Sequence, residues 1–334
     1  MHPVKTALSN ITVEESTRCD NLAVFPLMSA LRSPLVYLML AEALRKGLVT
    51  VREISEGGSV PDLSVENRAD VAVLIVDGEE LVGAKQNRVA NLSMLIPAGK
   101  TTIIPVSCVE GGRWAYSSAE FSASDHVQFS RGRAERLDSV HRSIRSTGTR
   151  RSDQRQVWRS IDEKAAQMRV ASPTGAMSSI FEGHAATLDA YVEAFVARDG
   201  QVGAVFMVGD EVVGLDVFDQ PATFAALLPK LVRSYSIDAI AQPTESEPSQ
   251  STAKAIAFID QLREAPLENH PAVGLGEDVS IVSDDLIAGG LVVEETVVHM
   301  SAFSNPRRKP SATGRSERHA SFRQRRSTLR RRYH

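Results

Sequence analysis

The stretch Val71 to Arg88, VAVLIVDGEELVGAKQNR, limits what this chain can fold into more than any other. Val71 to Val76 is a short, β-branched apolar run bounded by Asp70 and Asp77-Gly78, which predicts a buried strand and not a helix segment. Asp-Gly is a two-residue hairpin sequence, because a type I′ turn needs φ > 0 at both central positions and glycine adopts that without steric cost. A returning strand is then expected from Glu79. If it stays extended, Glu79, Leu81, Gly83, Lys85 and Asn87 share one face, and Glu80, Val82, Ala84, Gln86 and Arg88 the other. Only one of the two carboxylates can therefore look into a given pocket. Leu81 and Val82 on opposite faces imply a strand covered on both sides, with Lys85-Gln86-Asn87-Arg88 emerging at its end to present an ammonium, two amides and a guanidinium to one ligand. The same residues also fit a salt-bridged hairpin end, with Glu79 and Lys85 on the surface and Arg88 paired to a loop carboxylate.

At 334 residues the chain is long enough for two domains, or for one large domain with a tail. Cys19 and Cys108 are its only cysteines, so no disulfide framework is available and a reducing compartment suits it. No charged n-region precedes an apolar h-region, and no stretch reaches the ~18 apolar residues of a membrane span. A cytoplasmic location without membrane contact is expected by default. The net charge of −3 conceals an asymmetry: Asn305 to His334 holds eleven Lys/Arg against one acid, a net of +10 that leaves −13 for the rest. Lacking apolar periodicity, residues 304–334 are expected to be a disordered basic tail, either touching nucleic acid or another polyanion through counterion release or simply solvated.

Strand-like runs Leu22 to Leu27, Leu35 to Leu40, Leu48 to Ile54, Asn91 to Ile96 and Thr101 to Glu110 are separated by Pro34, Gly57-Gly58, Pro61 and Pro97-Ala98-Gly99. That spacing predicts a β-sandwich-like unit over 22–120. From Ser130 the period changes. Ala134, Leu137, Val140 and Ile144 fall at helical spacing, as do Val157, Ile161, Ala165 and Met168, with Ser152 as the expected N-cap. A third helix is expected from Thr174 through Phe181 and Leu188 to a stop at Gly200. Arg131 to Arg169 carries eleven Lys/Arg against five acids, a patch that suits phosphate groups or packs against the acidic β-rich unit. Ala204 to Asp219 echoes the 71–88 stretch, with Glu211 for Glu80 and Gly214 for Gly83, but has Asp216-Val217-Phe218-Asp219 in place of Lys85 to Arg88. A weak duplication would make the second copy scaffold. A helix from Pro221, interrupted or bent at Pro229, a polar linker Gln242 to Ser251, a short helix and two strands complete one α+β domain over 22–303: β-rich 22–120, helical 131–200, mixed 201–303.

Other side chains with chemistry are few. Cys108 reads as an inert buried thiol or as a nucleophile, with no histidine near it in sequence to serve as base. Arg113-Trp114 can clamp a phosphate and stack on a base, or the indole can simply pack. Trp158, with Gln154 one turn before it, has the same two readings. The eight histidines and two cysteines show no H-x-H, H-x-x-x-H or C-x-x-C spacing, so neither a metal nor a cofactor is expected. Walker A, G-x-G-x-x-G after a strand and G-x-S-x-G are not found.

Six separated segments occur in order: DGEELVGAKQNR (77–88), IPVSCVEGGRW (104–114), SDQRQVWRSI (152–161), SPT (172–174), GQVGAV (200–205) and KLVRSYSIDAI (230–240). Together they resemble a prokaryotic domain family named for its association with ADP-ribosylglycohydrolases and rhodanese/phosphatase-superfamily proteins. The likeness covers Leu22 to Phe303 and leaves out the basic tail. It implies a bacterial intracellular domain linked to the handling of NAD-derived or ADP-ribosylated compounds, and it carries over no catalytic residues.

Two functional readings follow. In the first, a phosphorylated nucleotide-like ligand is bound and turned over, with Glu79 or Glu80 as general base or ribose hydroxyl acceptor and Lys85 and Arg88 stabilising charge. Gln86 and Asn87 would orient that ligand, and Arg113, Trp114, Gln154 and Trp158 would complete its binding set. In the second, the protein is a non-catalytic sensor or a partner of a companion ADP-ribosylglycohydrolase or phosphatase-like protein. Catalysis predicts that Glu79, Glu80 and Lys85 converge in a concave pocket, whereas a binding module predicts a site dominated by Arg and amides.

Overall fold

Leu22–Ser29 and Gln201–Val208 are near-continuous apolar runs, as strands covered on both faces should be. In the computed structural model, which describes residues 1–242 and 251–307, they pair antiparallel within a nine-stranded sheet. Its order is Ile11–Val13, Leu22–Ser29, Gln201–Val208, Glu211–Phe218, Thr296–Ser304, Leu286–Val293, Glu277–Val282 and Leu267–Pro271, with Thr17–Cys19 also on Leu22–Ser29. Alternation sorts the side chains. Phe25, Leu27, Val205 and Met207 pack with the helices Pro3–Ser9 and Thr252–Glu264, while Val24, Ala204 and Phe206 pack with Ser130–Thr147 and Pro221–Ala241.

Two smaller sheets share a second core. One runs Phe121–Val127, Glu79–Gly83, Arg88–Ala90, Thr101–Cys108, Asp62–Asn67, Val49–Glu53; the other runs Met94–Ile96, Ala72–Ile75, Tyr37–Met39, the last pair parallel. Val51, Leu63, Val65, Val73, Ile75, Leu81, Met94 and Ile104 form that core. A further cluster joins Val89 and Val109 to Gln154–Gln167, Ser178–Glu182 and Ala185–Ala194 through Val157, Ile161, Ile180 and Leu188. The protein is thus of the α+β class read from the sequence, with mostly strands and the two short helices Pro3–Ser9 and Leu40–Arg45 before residue 128, helices over 130–194 and both kinds of element thereafter.

Local expectations change in several places. Asp77-Gly78 is a turn but no hairpin: Glu79 N donates to Val76 O at 3.0 Å, φ is positive at Gly78 (+79°) and not at Asp77, and the flanking strands join different sheets. Positive φ at the third residue alone is the type II pattern, which here turns a corner between sheets. The paired hairpin is the next one, Glu79–Gly83 with Arg88–Ala90, so extended alternation stops at Gly83 and Lys85, Gln86 and Asn87 lie in the turn. By contrast Gln201–Val208 and Glu211–Phe218 do pair as a hairpin, so the two similar stretches fold differently. Asp153, not Ser152, caps the second helix, its carboxylate accepting from Arg155 N at 3.1 Å. The expected third helix is two, Ser178–Glu182 and Ala185–Ala194, while Pro229 leaves Pro221–Ala241 unbroken. The expected linker and basic tail lie outside the described residues for 243–250 and 308–334, although Ser304 still belongs to the last strand.

Candidate functional site

Gly83 ends its strand at φ +130°, where a Cβ would meet Ser118 Oγ at 2.5 Å and the Glu120 carbonyl at 2.8 Å, so only glycine fits. Ala84 follows at φ +39°, and the chain re-enters the sheet at Arg88, between Leu81 and Cys108. Lys85, Gln86, Asn87 and Arg88 are all buried, Arg88 completely. Gln86 Nε2 donates to Glu110 O at 2.9 Å, Asn87 N donates to the Glu110 carboxylate at 3.2 Å, and Asn87 Oδ1 accepts from Arg113 Nη2 at 3.1 Å. Burial pushes the Glu110 carboxyl up, but Arg113, the Asn87 amide and Thr174 outweigh it and hold the group below its ordinary value.

Arg88 is satisfied along one side only. Its Nη1 donates to Gln86 O at 3.0 Å, Gln86 Oε1 at 3.2 Å and Asn87 O at 3.3 Å, whereas Nε and Nη2, the other edge of the fork, have no hydrogen-bond partner. Glu53 Oε1 lies 3.8 Å from Nη2, an ion pair by charge but too long for a hydrogen bond. Both Glu53 oxygens are buried and equally without a partner. Burial pulls the Arg88 guanidinium below its ordinary value, and the neighbouring Cys108 and Glu53 offset this only in part. Each unsatisfied buried group costs on the order of 1–3 kcal/mol, so four such atoms in one place make this the candidate site.

The segment after Val49–Glu53 closes over this place. Lys85 Nζ donates to the carbonyls of Glu56 at 2.6 Å and Gly57 at 2.9 Å, and lies 5.2 Å from the Trp114 ring centre and 5.1 Å from that of Tyr116. Arg88 is 5.8 Å from the Trp114 ring. Gly58, at φ +75°, lets the loop come close: a Cβ there would stand 3.4 Å from Glu53 Oε2 and from Trp114. Glu53 escapes a reading that looks for motifs. Its signal is the alternation of Val49–Glu53, which puts Val49, Val51 and Glu53 on one buried face.

The remaining expected site residues are distributed as follows. Glu79 turns to the helix Pro221–Ala241, accepting from Lys230 Nζ at 2.7 Å and Val76 N at 3.0 Å. Glu80 accepts from Asn87 Nδ2 at 3.1 Å and pairs with His126 Nε2, while His126 Nδ1 meets Asp125 at 2.9 Å and its ring stacks on Phe181. Burial alone would lower the imidazolium, but Glu80 and Asp125 outweigh it and hold His126 up at about 9. Glu79, Glu80 and Lys85 therefore have separate partners and do not meet at one point. Gln154 clasps the Cys108 backbone, accepting from its N and donating to its O, both at 2.8 Å. Trp158 lies beside Gly111 with Nε1 buried. The Cys108 thiol donates to Gln86 Oε1 at 3.1 Å; burial raises it, against the pull of the Glu110 N–H and the Arg88 charge.

Elsewhere the buried cations of the basic helical segment are paired internally, while its Arg151, Arg155, Arg159 and Arg169 are exposed. Arg133 donates to Asp77 (3.0 and 3.1 Å) and to Asp216 (2.7 and 3.1 Å), and Arg136 pairs with Asp77. Tyr235 OH donates to Asp216 at 2.8 Å, His299 bridges Asp216 and Ser93, and Ser301 Oγ donates to Asp77 at 3.1 Å. Burial raises the Asp77 carboxyl, but Arg136 and Arg133 bring it down to about 2. Arg150 pairs with Asp278 and Lys164 with Asp238. Cavities of about 190 Å³ beside Pro3, Arg32 and Asp219 and about 390 Å³ beside Arg45, Arg68 and Phe121 share no residue with Glu53 or Lys85 to Arg88. Among the described residues no group of three or more His, Cys, Asp or Glu is placed to hold a metal, and no helix is long and apolar enough to cross a membrane.

Fold and site define a mixed α+β protein with an incompletely paired Arg–Glu couple sealed under a glycine loop. The chain belongs to the family described as the ARG and Rhodanese-Phosphatase-superfamily-associated Protein domain, whose model matches residues 10–303. The family name links it to ADP-ribosylglycohydrolases and to rhodanese/phosphatase-superfamily proteins. No curated protein and no solved structure matches the chain.

Proposed function

We propose that this protein is a binding module for a phosphorylated, nucleotide-like ligand of the NAD-derived or ADP-ribose kind, received at Arg88 and Glu53 beneath the Gly57-Gly58 loop. The observation that carries the reading is the unused Nε/Nη2 edge of Arg88 opposite two unpaired Glu53 oxygens, all buried. A guanidinium edge suits two acceptor oxygens at once. At the rim, Trp114 is 49% exposed and offers a π face to a base. Lys85, which now holds the loop carbonyls, is the latch: when the loop opens, its ammonium becomes available to a phosphate. Glu80 acts by orienting Asn87, Glu79 by anchoring Lys230, and turnover is not part of this reading. The ADP-ribose connection in the family name supports the ligand class.

Thermal unfolding of the purified chain with ADP-ribose and with NAD tests it. A ligand at a hundred times its Kd should stabilise by about 2.7 kcal/mol, and Arg88→Ala should abolish the effect. Trp114→Ala, on the rim, should weaken binding without loss of fold. Absence of any shift, or a shift unchanged in both variants, overturns the proposal.

A further inference from the structure

We infer that the group admitted between Arg88 and Glu53 is a vicinal diol, the hydroxyl pair of a ribose, and not a phosphate. This rests on the binding reading above and specifies which part of the ligand enters first. Arg88 and Glu53 are both fully buried side chains, 0% and 3% exposed, and their charges cancel. A phosphate drawn to the Arg88 edge would also stand against the Glu53 carboxylate, with water excluded and the repulsion correspondingly strong. It would bring only acceptors, leaving both Glu53 oxygens without a donor.

The unpaired atoms specify the complement. Arg88 offers Nε–H and the adjacent Nη2–H, side by side; Glu53 offers Oε1 and Oε2. Once Glu53, now 3.8 Å away, has drawn back to admit them, two neighbouring hydroxyls match this one for one, each oxygen accepting from the guanidinium and each O–H donating to the carboxylate. A carboxamide matches less well, because the two hydrogens of its NH₂ diverge and only one can reach a given carboxylate. Arg88 is also preset for the task, since its Nη1 is fixed by three acceptors on Gln86 and Asn87 and cannot swing to follow a mobile anion. With the diol seated there, the ligand's phosphate is left to Lys85 and its base to Trp114, both above the couple and next to one another.

Calorimetric titration of the full chain distinguishes the cases. AMP and ribose 5-phosphate carry the two riboses of ADP-ribose, while 2′,3′-dideoxy-AMP lacks the diol and pyrophosphate and nicotinamide supply the other groups alone. At least one of the two ribose compounds is expected to displace ADP-ribose, and the diol compound to bind at least about tenfold more tightly than its dideoxy counterpart. Glu53→Gln is expected to erase that preference while leaving pyrophosphate binding unchanged or stronger. Equal affinity for AMP and its dideoxy analogue together with failure of ribose 5-phosphate to displace ADP-ribose, tighter nucleotide binding by Glu53→Gln, or displacement of ADP-ribose by nicotinamide alone overturns the inference. The ligand comparison on the unaltered chain decides even where Glu53→Gln folds poorly. If ADP-ribose binds through Arg88 without preference for a diol, the binding reading stands and this inference falls; if ADP-ribose does not bind, both fall.

Discussion

A protonated imidazole between two carboxylates gives the folded chain a pH signature. His126 stands at about 9, against ~6.5 for an unfolded histidine, so folding takes up a proton between those values. Its stabilising contribution is fully present below about pH 6.5 and disappears as pH rises through about 9. The unfolding free energy in urea is expected to drop by up to about 3 kcal/mol between pH 6 and pH 9.5, and His126→Gln should remove most of that drop. An equal drop in both proteins would assign it to other groups. His141 works in the opposite sense. Burial, then Arg145, holds it near 3, and neither ring nitrogen has a partner. What it contributes is present above about pH 6.5 and is lost as pH falls toward 3, so His141→Phe should move the acid-unfolding midpoint to lower pH. At this scale the sequence is informative about residue type and weak on partners. Lys85 to Arg88 stand out as a polar cluster, yet that Lys85 meets backbone carbonyls and Arg88 meets Glu53 depends on where Ile54 to Pro61 runs, which no local pattern encodes.

Among elements, the helix Ser130–Thr147 packs closely on the strand Leu286–Val293. A Cβ at Gly289 would meet Leu137 Cδ1 at 2.9 Å, so Gly289→Ala is expected to destabilise by about 1–3 kcal/mol through overpacking. A denaturation midpoint equal to that of the parent would show that Leu137 can move aside. The strands Leu22–Ser29 and Gln201–Val208 are legible because their burial on both faces leaves an unbroken apolar run. The Asp77-Gly78 corner is not. Whether two strands flanking an Asp-Gly pair fold onto each other or part into different sheets is decided by their other neighbours, here Met94–Ile96 for one and Phe121–Val127 for the other. Ser178–Glu182 and Ala185–Ala194 likewise read as one helix, because the apolar spacing runs on through Gly183 and His184.

On the scale of the molecule, Arg133 ties the sheets together. It reaches Asp77 at the corner between the two smaller sheets and Asp216 in the largest, within a group of buried charges that are mutually satisfied. Removing its charge leaves two carboxylates facing one another out of water, so Arg133→Met is expected to cost about 3–5 kcal/mol, with all three sheets melting together. A loss under ~1 kcal/mol, or separate transitions by circular dichroism and fluorescence, would mean that the network is peripheral.

The pairing of Leu22–Ser29 with Gln201–Val208 also sets a schedule for biosynthesis. The first strand leaves the ribosome about 170 residues before its neighbour exists, an interval on the order of ten seconds or more at cellular elongation rates. Throughout that wait an apolar strand with an open edge must be kept from unrelated chains, so holdase chaperones should bind nascent chains of this protein that stop short of residue 201 and release those that extend beyond Ser304.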